Sequence, residues 1–418
     1  MARITKVVGR QVFDSRGNPT VEAEVFLNDK TKASAIVPSG ASTGSFEAFE
    51  LRDGDKNYFL GKSVLKAVRN INTVINKNLK NIKASKQKKI DQILLNLDGT
   101  ENKKKLGANA LLAVSLAVSK AEAISKKKEL YQHLGKKFLL PKPLMNIING
   151  GAHADNNLRI QEFMIRPDSA KNFMDAMEKS FLVIQNLKKI LQSKNLLTNV
   201  GDEGGFAPSI NSNEEALNLV VDAIEKSKLK PGNDISICLD VAANELINEN
   251  GKYSLNSTEF IAVEQSIDYY KNLIAKYPIK SIEDPFAEND WNAWAKLTKE
   301  IGKNVQIVGD DLFVTSVSRL KKGIKEKSAN SILVKVNQIG TLTETLDVIK
   351  LAKKYNFSTI ISHRSGDSED TYIDDLAVAT QSTQIKSGSL ARSERVAKYN
   401  RLLRIEEQLG KSAKIARI

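Results

Sequence analysis

The stretch NSILVKVNQIG, residues 330–340, sets a lysine inside a run that reads as a strand buried on both faces. Ile332, Leu333, Val334 and Val336 are all aliphatic, and only Lys335 interrupts them. An unpartnered ammonium is costly to bury, and lysine is among the residues least often found inside. A strand that keeps one holds an amine in a dry place for a purpose. The same grammar recurs on both sides. ISICLD ends at Asp240, IKSIED reaches Glu283, NVQIVGDD reaches Asp310, STIISHRS reaches His363 and TQIK reaches Lys386. The intervals from Asp240 through Glu283, Asp310, Lys335 and His363 to Lys386 are 43, 27, 25, 28 and 23 residues. A strand, a helix and two loops need about that many. With earlier strands at LMNIING and QEFMI the count reaches eight, so the predicted fold is α/β, an eight-stranded (β/α)8-type barrel. Parallel strands in such a barrel bring their C-terminal ends to one face, where active sites form. A single aspartate after a strand reads as a helix cap; a series of titratable residues converging on one mouth reads as a site.

Outward from the barrel, the chain begins differently. ITKVVGRQVFD, TVEAEVFLN and KASAIVP alternate in polarity, with the turn signal GNP between the first two, and predict a small antiparallel sheet. Residues 63–134 follow with apolar positions three and four apart, a helical pattern. Strands followed by helices predict a separate α+β domain. LGKKFLLPKPL then interrupts the pattern. The expected division is an N-terminal α+β (lid) domain at 1–134, a linker at 135–142 and a catalytic barrel at 143–418.

The 418 residues are 41% hydrophobic and 27% charged, ordinary for a globular protein. The net charge of +14 is spread in short lysine runs, with no zinc-finger spacing, aromatic RNA-binding signature or basic tail. No nucleic-acid partner is expected. MARITKVVGRQVFDSRG has no apolar core of a signal peptide, and GANALLAVSLAVSKAEA reads as a buried helix rather than a membrane span. The single cysteine, Cys238, lies in an apolar run and reads as a packed thiol. A cytoplasmic protein is expected; a secondary cell-surface pool is compatible with the same reading.

Asp240, Glu283 and Asp310 come from consecutive units and form a hard-oxygen set suited to Mg²⁺. With three histidines and no paired-ligand spacing, zinc is not expected. Lys335, Arg364 and Lys386 add positive charge, which implies an anionic substrate; Arg364 and Ser365 suit a phosphate. NVGDEGGF sets Asp202 and Glu203 among glycines, where backbone can approach a ligand closely. INGGAHADNN presents His153, and Gln161 and Glu162 follow. PSGASTGS, residues 38–45, reads as a lid if it faces the barrel mouth.

DSRGNPTVE, PSGASTG, NGGAHADNN, QEFMI, GDEGGFAP, SIEDPF, GDDL, LVKVNQIGTLTE, SHRSGDSED and ARSERVAKYN, in this order, resemble the enolases along essentially the whole chain, most closely the bacterial ones. SGDSED and Ser387 depart mildly from the usual pattern. The resemblance implies a partly antiparallel start to the barrel and the reversible dehydration of 2-phosphoglycerate to phosphoenolpyruvate. It implies Lys335 as the base at C2 and Glu203 as the acid at the C3 hydroxyl, with Glu162 and His153 lining that side. It implies Asp240, Glu283 and Asp310 on a first Mg²⁺, the Ser39 loop on a second, and Gln161, Glu162, His363, Arg364, Ser365 and Lys386 around the substrate. A homodimer or higher homo-oligomer is likewise implied. To act, Lys335 must be lowered toward neutrality and Glu203 raised. A racemase or acid-sugar dehydratase of the same superfamily would share the three carboxylates, but SHRS and PSGASTG argue against it. A non-catalytic scaffold of this fold would be expected to have lost one of these positions, and all are present.

Overall fold

The computed structural model describes residues 2–40, 44–256 and 258–418. Among the described residues eleven strands are formed. Three make a small sheet: β1 (Ile4–Phe13), β2 (Pro19–Leu27) and β3 (Lys32–Ile36), antiparallel in the order β1-β2-β3. The predicted hairpin closes through Asp14, whose Oδ1 accepts the amides of Arg16 and Asn18, with Gly17 at φ 72. The outer edge of β1 is not left bare. Asn72 and Asn76 accept the amides of Gly9 and Val7, and Asn72 also donates to the Gly9 carbonyl. The helix Ala108–Ser125 packs on β2 and β3; it is apolar enough for a membrane span, yet 83% of that window is buried inside the protein.

The other eight strands close the barrel: β4 (Lys142–Asn149), β5 (Glu162–Arg166), β6 (Ser236–Asp240), β7 (Ile279–Glu283), β8 (Gln306–Gly309), β9 (Ser331–Val334), β10 (Ser358–Ser362) and β11 (Gln384–Lys386). Leu144, Met164, Cys238, Val308, Leu333 and Ile360 fill the barrel interior as one cluster. Their alternates, among them Phe163, Leu239, Ile307, Val334 and Ile361, belong to the larger core shared with the helices. Both faces of each strand are therefore dry, which is why the runs read as continuously apolar. Cys238 is a packing residue, its thiol pushed up to about 12 by burial.

Two features differ from a uniform βα reading. β5 runs antiparallel to both neighbours, so it is its first residue, Glu162, that reaches the mouth, in register with Asp240. Lys335 is not inside its strand: β9 ends at Val334, and Lys335 leads into a helical turn at Val336–Ile339. The ammonium lies at the mouth, mostly but not fully enclosed, with 15% of the side chain exposed.

Candidate active site

The charged strand ends meet. Asp240, Glu283 and Lys386 close their strands, while Asp310, Lys335 and His363 each stand one residue beyond. One cavity is lined by His153, Gln161, Glu162, Glu203, Asp240, Asp310, Lys335, His363, Arg364, Ser365 and Lys386. Glu283 joins the group from behind, through Lys386. Ser39 does not: its hydroxyl donates to Glu50 (3.1 Å) and accepts from Arg52 (3.2 Å), and its backbone pairs with Gly366. Residues 41–43 of the expected lid lie outside the described residues.

Lys386 is the electrostatic hub. Its Nζ lies 2.8 Å from Asp240, 3.0 Å from both oxygens of Glu283 and 3.2 Å from Glu162. Burial pulls the ammonium down, but these carboxylates together hold it well above its ordinary range. Lys335 is bound to Asp310. Burial lowers it and Asp310 raises it, and the net result is upward, so the resting lysine is protonated. That is opposite to the direction a base requires.

Glu203 is also opposite to expectation. Burial lifts it, yet His363, His153 and Arg395 outweigh burial and hold it well below the usual carboxylate range. Arg395 carries a permanent charge, whereas His363, driven down to about 4 chiefly by burial, is neutral at pH 7. The resting Glu203 is ionised. Its place is fixed by glycines: a Cβ on Gly388 (φ +68) would lie 2.4 Å from the Glu203 carbonyl, and one on Gly204 (φ +86) 2.7 Å from that of Ala391.

The remaining carboxylates are crowded. Glu162 and Glu283 are raised well above the carboxylate range by burial and by neighbouring acids. Asp284 is raised too, and Asp311 is pushed up to about 7 by burial and Asp310. Glu162 Oε2 and Gln161 Oε1 are buried without a hydrogen-bond partner. Among the described residues, Asp284, Asp310 and Asp311 bring carboxylate oxygens within 4.8 Å of one another, and a ring nitrogen of His153 lies equally close to carboxylate oxygens of Glu162 and Glu203. The expected triad of Asp240, Glu283 and Asp310 is not among these groups; the Lys386 ammonium bridges Asp240 and Glu283, and Asp310 is paired with Lys335. Crowded carboxyl groups that a cation would let ionise, beside the orphaned acceptors of Gln161 and Glu162, fit a hard divalent cation.

Some working residues carry no strand-end signal. Arg395, fully buried on the helix Ser393–Leu409, donates to His363 Nδ1 (2.5 Å) and to the carbonyls of Arg364 (2.7 Å) and Ser365 (2.6 Å). A guanidinium only donates, so His363 must carry its proton on Nε2, which faces Glu203 at 3.4 Å. Asp284 accepts the amides of Asp310 (3.0 Å) and Asp311 (2.9 Å), and so sets the end of β8. Glu47 pairs with Arg364. The doubled acids in SIEDPF and GDDL, and the arginines of ARSER, are the only traces of these roles in the sequence.

Comparison with known proteins agrees with the geometry. Residues 4–134 match the family model for the enolase N-terminal domain, and residues 137–417 match that for the enolase C-terminal TIM barrel domain. The chain is 63% identical to an enolase of Pelagibacter ubique (strain HTCC1062) over 420 residues, covering 100% of both. With a closed barrel, a small separate sheet and both family models accounting for almost every residue, the chain belongs to the enolase family.

Proposed function

We propose that this phosphopyruvate hydratase interconverts 2-phospho-D-glycerate and phosphoenolpyruvate in glycolysis and gluconeogenesis, with Lys335 and Glu203 as its proton-transfer groups. The observation that carries the reading is one cavity containing Lys335, Glu203, Arg364 with Ser365, and a surplus of carboxylates. Arg364 and Ser365 take the phosphate, and Gln161, His363 and Lys386 line the remainder of the substrate. Lys335 Nζ takes the proton from C2. Glu203 gives a proton to the C3 hydroxyl, which leaves as water, and the C2–C3 double bond forms.

Mg²⁺, two ions per site, is the proposed cofactor, with Asp240, Glu283 and Asp310 holding the first. When bound, such a cation supplies positive charge against the substrate carboxylate and engages Asp310, the main partner that keeps Lys335 protonated. With Asp310 so occupied, burial, Arg364 and Lys386 all push Lys335 toward its neutral form. An anionic substrate beside Glu203 raises that carboxyl toward the protonated form an acid needs. The second ion falls to the Ser39 loop, where the Ser39 hydroxyl is held between Glu50 and Arg52 before any cation enters. His153 and Glu162 stand beside Glu203, with His153 Nδ1 3.6 Å from Glu162. The division into 1–134, 135–142 and 143–418, a homodimeric assembly and a cytoplasmic location complete the proposal.

The test separates base from acid. Glu203→Gln cannot donate a proton but leaves Lys335 in place. It should still exchange the C2 hydrogen of 2-phosphoglycerate with deuterated water while forming almost no phosphoenolpyruvate. Lys335→Ala should lose both activities. Proton NMR of the substrate and phosphoenolpyruvate absorbance follow the two steps; exchange surviving in Lys335→Ala but lost in Glu203→Gln would reverse the roles.

A further inference from the structure

Arg364 does not wait alone for a phosphate. Its Nη1 and Nη2 donate to Oε2 (2.8 Å) and Oε1 (3.1 Å) of Glu47, a two-pronged pair, and Nη1 also donates to Asn337 Oδ1 (3.1 Å). Both partners are enclosed, Arg364 at 3% and the Glu47 side chain at 9% exposure. The same Glu47 carboxylate accepts the Gly44 amide (3.1 Å) and the Gln338 side-chain amide (3.4 Å). Gln338 in turn donates to Asp310 Oδ1 (2.8 Å), and its carbonyl accepts the Ala48 amide (2.8 Å). One carboxylate thus ties the backbone at 44–48, the guanidinium of Arg364 and the Asp310–Lys335 pair into a single network.

We propose that Glu47 is a positioning residue for phosphate recognition: it holds the Arg364 guanidinium in a fixed plane and fastens residues 44–48 to it. The inference rests on Arg364 being the phosphate ligand. A guanidinium held on its Nη edge by a carboxylate and an asparagine is oriented before the substrate arrives, and the ordering cost is met in folding rather than in binding. Charge alone predicts the reverse outcome. If Glu47 merely neutralised Arg364 or stood in for the phosphate, removing its charge would make the pocket more positive and tighten binding. Positioning predicts weaker binding.

Glu47→Gln keeps the shape and one acceptor but loses the charge-assisted pair. The expected result is a KM for 2-phosphoglycerate raised about tenfold, with a smaller effect on kcat. In the substrate-free protein, hydrogen–deuterium exchange at residues 44–48 should be faster in Glu47→Gln and in Arg364→Lys alike. In the Arg364→Lys background, Glu47→Gln should add little to KM, because the fork it serves is gone. An unchanged or lowered KM, additive effects in the double variant, or unchanged exchange at 44–48 would each overturn the proposal. If the wild-type protein did not turn over 2-phosphoglycerate, the functional reading would fail, and the exchange measurements would still decide whether Glu47 holds the segment to Arg364.

Discussion

At the scale of single residues, the site sets opposite charges against one another. Lys335 is stable as an ammonium while Asp310 faces it, and Glu203 is stable as a carboxylate while His363, His153 and Arg395 surround it. For the proton transfers proposed above, each must change its protonation state, and a change in one neighbouring charge favours that. Arg364→Lys keeps the charge but loses the planar fork; kcat/KM for 2-phosphoglycerate should fall by about tenfold or more, and an unchanged value would move phosphate recognition elsewhere. His363 predicts a pH effect. Its folded value near 4 is below the unfolded value of 6.5, so between these the unfolded chain binds more protons. Stability should therefore rise with pH through this window and be lost on acidification, by on the order of 3 kcal/mol across it. Thermal melts between pH 4 and 6.5 should show a shallower slope for His363→Gln than for the wild type; equal slopes would assign the acid sensitivity to other groups.

At the scale of elements, the site depends on contacts that join the two halves of the chain. The DSRGNP turn meets the loop after β10 directly: the Ser15 hydroxyl donates to the Ser365 carbonyl (3.4 Å) and its amide to the Asp367 carbonyl (2.7 Å), while Arg392 donates to the Ser15 carbonyl (2.8 Å). A Cβ on Gly366 would come within 2.6 Å of Asp14, so the approach requires glycine there. A second joint is Asp91, buried on the helix Gln87–Asp98. It accepts from Ser115 (2.6 Å) and from the amide (3.0 Å) and hydroxyl (2.5 Å) of Thr343, at the start of the helix Leu342–Lys354. Asp91→Ala leaves these buried donors unpaired and should cost about 2–4 kcal/mol. Denaturant titration measures this, and a change below about 0.5 kcal/mol would show that water replaces the carboxylate.

At the scale of the whole molecule, the barrel mouth gathers more carboxyl groups than its lysines can pair, and burial and mutual repulsion hold several of them above the carboxylate range. A divalent cation should therefore bind the folded chain in preference to the unfolded one and stabilise it. Mg²⁺ should raise both Tm and turnover, and excess chelator should abolish turnover until Mg²⁺ is restored. Full activity in chelator would remove the metal from the mechanism. The distributed +14 charge is far from this cluster in character and does not predict its sign.

The barrel was legible in the sequence because its strands are dry on both faces. Local polarity is enough to mark where each run stops, and a charge at each stop is visible without knowing what it faces. Asp240, Glu283, Asp310, Lys335, His363 and Lys386 were placed at one mouth on that ground alone, and the motifs around them named the family. What the residues do to one another was decided by the tertiary structure. The reversal of β5 brings Glu162 to the mouth from the start of a strand. The wedge of Lys386 between Asp240 and Glu283, the pairing of Lys335 with Asp310, the depression of Glu203 and the clasp of Glu47 on Arg364 all join residues distant in the chain. Strand boundaries follow from short-range patterns of burial, but a protonation state follows from the charges within a few ångströms, and in this chain those charges come from separate strands, loops and helices.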